Sequence, residues 1–152
     1  MRLNHGLVPA VGFVCACFLA VASAVRAQSD QIIYDDSLEN GWQQYPWTGV
    51  TVNLANTSPV HSGSDSISVN ATNYGALYLA PGAAFNTSAY PNLTFWINGG
   101  ASGGQHLQVQ ATINGNAQTA VLLSALPANT WQQITVNWSA LPPLIAGLSN
   151  VI

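Results

Sequence analysis

Residues 131–138 read "WQQITVNW". Ile134, Val136 and Trp138 share one parity; Trp131, Gln133, Thr135 and Asn137 share the other. Successive side chains of a strand point to opposite faces, so this period of two predicts a half-buried β-strand. The same pattern recurs on either side. In "LTFWIN", Leu93, Phe95 and Ile97 oppose Thr94, Trp96 and Asn98. In "LQVQATI", Leu107, Val109, Ala111 and Ile113 oppose Gln108, Gln110 and Thr112. In "SISVNAT", Ile67, Val69 and Ala71 oppose Ser66, Ser68, Asn70 and Thr72. Strands are expected near 31–35, 49–54, 66–71, 76–80, 92–98, 106–113, 118–123 and 131–138. Clusters of Gly, Pro, Asn and Ser separate them, and Asn114-Gly115 is the strongest hairpin signal because both residues tolerate positive φ. No amphipathic helix and no internal repeat is found. The fold class is all-β, an antiparallel sandwich whose apolar parities form one core.

The first residues do not belong to that pattern. Arg2 precedes an apolar run, Leu7 to Ala22, and Val25-Arg26-Ala27 forms a small-residue cleavage triplet. This is the plan of a secretory signal peptide over 1–27, with a run shorter than the roughly 20 residues that span a bilayer. Residues 28–152 then form one domain of a secreted, extracellular protein, with no membrane attachment after signal removal. The chain ends "LPPLIAGLSNVI", where Asn150 to Ile152 reads as the start of an apolar strand. The sandwich is therefore expected to lack one or two C-terminal strands.

Composition narrows the partner. Both basic residues, Arg2 and Arg26, and both cysteines, Cys15 and Cys17, lie within the first 27 residues. Residues 28–152 keep five acids: Asp30, Asp35, Asp36, Glu39 and Asp65. No disulfide can form there, and nucleic acid is excluded as a partner because phosphate binding relies on Lys and Arg. A neutral ligand fits. The polar strand parities carry amides, hydroxyls and a few rings without charge. Such a face offers donors and acceptors to sugar hydroxyls and aromatic surface to sugar C–H groups.

Several segments in this order, "IIYDDSLENGWQQYPW" (32–47), "VNLANTSPVHSGSDSISV" (52–69), "GALYL" (75–79), "YPNLTFWINGG" (90–100) and "ANTWQQITV" (128–136), resemble secreted carbohydrate-binding modules of the galactose-binding-like, jelly-roll type. The resemblance implies a non-catalytic glycan-binding sandwich, attached in some cases to a catalytic domain in a longer parent protein. It also implies a structural Ca2+, to which Asp35 or Asp36 would contribute.

The residues weigh against catalysis. Glycoside hydrolysis uses two carboxylates flanking one bond. Asp35 and Asp36 are adjacent on an expected strand, so they point to opposite faces. His61 reads as a cap on the Ser62-Gly63 turn and His106 as a strand start; neither has ligand or nucleophile spacing. The rings are the better candidates. Trp42, Tyr45 and Trp47 are expected in a loop with Gln43 and Gln44, although Trp42 reads equally as a plug over the core. Trp96, Trp131 and Tyr78 sit on polar strand parities, with Gln108 and Gln110 as sheet-face amides. Trp138, Phe95 and Phe85 are assigned to the core. Two other classes stay open: an adhesive wall sandwich without a sugar site, and a small glycosidase or lyase.

Overall fold

The computed structural model describes residues 29–84, 86–87, 89–113, 115–137 and 150–151. The expected signal segment, Phe85 and Trp138 lie outside the described residues. Every regular element described is a strand. In chain order these are β1 (Tyr34–Asp35), β2 (Ser37–Leu38), β3 (Trp42–Tyr45), β4 (Val50–Asn56), β5 (Ser66–Ala71), β6 (Tyr78–Pro81) and β7 (Asn92–Asn98). Then follow β8 (Gln108–Val109), β9 (Ala111–Ile113), β10 (Asn116–Ala117), β11 (Val121–Leu122), β12 (Trp131–Asn137) and β13 (Asn150–Val151). All pairings among the described residues are antiparallel, which the clean apolar-in, polar-out alternation favours.

Among the described residues the largest sheet has five strands in the order β10-β9-β13-β6-β3. The short strand β13 sits between β9 and β6, so the apolar segment expected near Asn150 is a strand of this sheet. Against it packs the pair β7–β12, in unbroken register from Asn98↔Trp131 to Asn92↔Asn137. Val109, Ala111 and Val136 are fully buried between the layers, with Leu93, Phe95, Val121, Leu123 and Ile134 against them. All but Val121 and Leu123 belong to the apolar parities of the sequence pattern, and each fully buried Val contributes about 1.5–3 kcal/mol. The hairpin β4–β5 is looser. Val69, expected in the core, is 41% exposed, and Ala71 is exposed too.

Residues 92–137 form one nested arm around Gly115. Ile113 pairs with Asn116, Thr112 with Ala117, Val109 with Val121 and Gln108 with Leu122. Outside these, Leu123 N donates to Leu107 O, Leu126 N to Gln105 O, and Asn129 N to Gly100 O. The β7–β12 register closes the arm. The glycine-rich stretch 99–104 is thus an ordered part of the stem. Gly103 has φ 62°, and a Cβ there would sit 2.5 Å from Ala128 N, closer than any real Cβ approaches.

The strand assignment changes as well. The segment expected as a loop at 42–47 begins with strand β3, paired to β6 from Trp42↔Pro81 to Tyr45↔Tyr78. The single strand expected at 106–113 is divided into β8 and β9 at Gln110.

Candidate functional site

Strand β3 alternates, and its alternation decides which rings reach the surface. Trp42 and Gln44 face one way, Gln43 and Tyr45 the other. Gln44 is opposite Leu79, and Leu79 aligns through the Val151 register position with core residue Ala111. Trp42 therefore points inward and is only 4% exposed. This corrects its place among the ligand candidates: it is the core plug. Tyr45 points outward and is 38% exposed, directly opposite Tyr78. The two phenol rings are 5.5 Å apart and tilted by 49°. Trp47, 39% exposed just beyond Pro46, meets Tyr78 edge-on at 6.4 Å. Sequence parity grouped Tyr78 with Trp96 and Trp131; the structure groups it with Tyr45 and Trp47. Tyr45 Oη donates to Gln43 Oε1 at 3.2 Å, so an amide and two phenol edges lie together beside the indole.

A second aromatic group stands on β7–β12. Trp96 is opposite Gln133 and Trp131 opposite Asn98, so the two indoles are diagonal neighbours on one face. That face is the outward one, since Phe95 and Ile134 of opposite parity are in the core. The loop between β4 and β5 folds over it. His61 stacks on Trp96 with ring centroids 3.9 Å apart and planes 17° apart, and meets Trp131 edge-on at 5.5 Å. Sequence reading assigned His61 to turn capping and missed this contact. A stacking between residues 35 apart leaves no periodic trace. An open concavity is bordered by Trp47 as well as by His61, Trp96 and Trp131.

The acids of the first strands hold that loop. Asp36, expected as a strand residue, is instead the single turn residue between β1 and β2, at φ 59°. Asp and Asn tolerate this left-handed region better than most residues. Its Oδ1 accepts hydrogen bonds from Ser64 N and Asp65 N, both at 2.9 Å. Those bonds hold the Asp36 carboxyl below its ordinary pKa; the bond from Asp65 N is the largest cause. Gly63, at φ 72°, has no side chain because any Cβ would collide with the Asp36 carboxylate. Tyr34 Oη donates to Leu54 O at 2.6 Å, and burial first, then Asp65 and Asp36, raises the phenol pKa. Asp35 is exposed. These two carboxylates by themselves supply only part of a calcium shell. Calcium takes about six to eight oxygens, whereas Asp36 Oδ1 faces two N–H donors and Asp35 is exposed. Among the described residues no three His, Cys, Asp or Glu converge on one point.

Of the two sheet-face amides, Gln108 is exposed, while Gln110 is half-buried and donates from Nε2 to Gln118 O at 2.8 Å. Gln110 is thus tied to the core arm.

The model of the expansin-like protein C-terminal domain matches residues 33–145. The chain belongs to this family. The expansin-like C-terminal domain is a carbohydrate-binding-type domain and usually non-catalytic. The match covers both aromatic groups and the Asp36 turn. An endoglucanase of Dictyostelium discoideum is 33% identical over 113 residues. That stretch is 70% of this chain and 16% of the endoglucanase, so the chain spans a small part of that relative.

Proposed function

We propose that this expansin-like domain is a non-catalytic module that binds a neutral glucan chain through Tyr45, Trp47 and Tyr78. The observation that carries the reading is the outward cluster of these three rings in a domain with no Lys or Arg after residue 26. Rings cover the apolar C–H faces of sugars, and the phenol and Gln43 edges supply donors and acceptors to hydroxyls. Glucan is favoured among neutral polysaccharides by the partial likeness to an endoglucanase. The ordered segments at 32–47, 52–69 and 90–100 support the galactose-binding-like part of the reading. Export after removal of residues near 1–27, and a place beside a catalytic domain in a longer protein, belong to the same proposal.

Titration with a soluble gluco-oligosaccharide tests it. Removing a stacked ring costs about 1–3 kcal/mol, so Trp47→Ala should weaken this surface roughly tenfold to a hundredfold with the fold intact. Trp42→Ala is the contrast, since deleting a buried Trp costs about 3–5 kcal/mol of stability. An isotherm for Trp47→Ala superimposable on wild type would place the site elsewhere. Unfolding of Trp47→Ala to the extent of Trp42→Ala would make Trp47 a plug.

A further inference from the structure

The two aromatic groups lie on the strand parities opposite to the core-facing ones, in different sheets, with buried Ala80 next to the first group. Tyr45 and Tyr78 alternate with Gln44 and Leu79, which face the layer interface in register with Ala111. Trp96 and Trp131 alternate with Phe95 and with Gln132 on a pair whose inward face contributes Leu93, Ile134 and Val136 to the same core. We propose that His61, Trp96 and Trp131 form a second glucan-binding surface, so that one domain holds two chains and bridges them. The proposal rests on the glucan reading of the Tyr45–Trp47–Tyr78 surface.

Three observations carry it. First, the second group reaches the surface: Trp96 is 43% exposed and His61, stacked on one face of it, is exposed, while Trp131 is half-buried. Second, its surroundings are uncharged and can hydrogen-bond hydroxyls. Thr94 and Thr135 are opposite each other, Trp96 is beside Gln133, and Trp131 beside Asn98, which forms a row along both strands. Third, it is held in place before any ligand arrives. Asp36 clamps the 61–65 loop through two backbone N–H groups, which sets His61 on the Trp96 ring. Ordering that precedes binding removes part of its entropic cost. Sheets of a sandwich are about 10 Å apart and their outer faces look in opposite directions. A straight chain cannot lie on both, so two surfaces give bridging and not avidity on one chain. The competing arrangement is a single chain that follows the concavity from Trp47 to Trp96.

The test uses the full chain, microcrystalline cellulose and a fluorescent soluble mixed-linkage β-glucan. Wild type should retain the labelled glucan on washed cellulose, and a soluble gluco-oligosaccharide should titrate to two per chain. Tyr45→Ala with Trp47→Ala, and Trp96→Ala with Trp131→Ala, should each titrate to one per chain and lose the capture. If the second pair fails to fold, Trp96→Thr, which favours a strand, provides the same readout. Wild type that binds cellulose without capturing labelled glucan overturns the bridging and leaves the glucan reading standing. Wild type that binds neither glucan overturns both. Capture that persists in one of the double variants identifies a dimer with one surface per copy and also overturns the proposal. So does complete loss of oligosaccharide binding in both, which identifies a single chain along the concavity.

Discussion

Asp36 is a residue whose chemistry and position were only partly readable from its neighbours. Two adjacent acids looked like strand residues on opposite faces or as calcium ligands. The left-handed turn at Asp36 removes it from the strand and points its carboxylate at the backbone of Ser64 and Asp65. A carboxylate bound by N–H groups is stabilised in its charged form, so its folded pKa falls. Such a group contributes stability above its unfolded pKa of about 3.9 and loses it as pH falls through the lower folded value. Asp36→Asn should therefore be less stable than wild type at neutral pH, and the difference should shrink in acid below about pH 3.9. Urea unfolding of both proteins at neutral and strongly acidic pH checks this. A gap that persists unchanged in acid would mean that the carboxylate charge plays no part.

At the scale of elements, the regular strands were the legible ones. Strands β7 and β12 were expected at 92–98 and 131–138 and are found at Asn92–Asn98 and Trp131–Asn137. Their faces alternate cleanly because one lies on the core and the other meets solvent. Strand β3 was not legible. Among the described residues it is an edge strand, its inward Gln44 breaks the apolar alternation, and its own amides satisfy local groups: Gln44 Nε2 donates to Tyr45 O. The glycine run at 99–104 has the composition of a strand break, yet it is stem. Gly100 and Gly103 separate the two roles a glycine can have there. Both have positive φ, at 60° and 62°, but a Cβ at Gly100 meets nothing within 4 Å, whereas at Gly103 it strikes Ala128 N and Leu126 O. Gly100→Ala should cost about 1–2 kcal/mol for the left-handed backbone alone. Gly103→Ala should cost clearly more, measured as a lower urea midpoint. Equal midpoints would show that the 126–129 segment yields freely.

For the whole molecule, the decisive sequence fact is the missing cation. Residues 28–152 have no Lys or Arg, and neither aromatic group contains an acid. Binding that releases no counterions has little dependence on salt. Glucan affinity should change less than about twofold between low and moderate ionic strength, against the orders of magnitude seen when several phosphates are neutralised. A steep fall would mean that charge drives the association. The sequence located the uncharged faces but not the pairing of rings across them, because a contact such as His61 on Trp96 depends on how a remote loop is pinned. The nested arm has a consequence of another kind, in kinetics. Closing Asn98 onto Trp131 directly from an unfolded chain would mean a long loop search, which is what slows β-rich folds. Here the rungs Ile113–Asn116, Val109–Val121 and Gln105–Leu126 lie inside one another, so each closes a short gap left by the last. The arm can zip outward from its tip, and the contact that looks most distant in sequence becomes the last of a series of local ones.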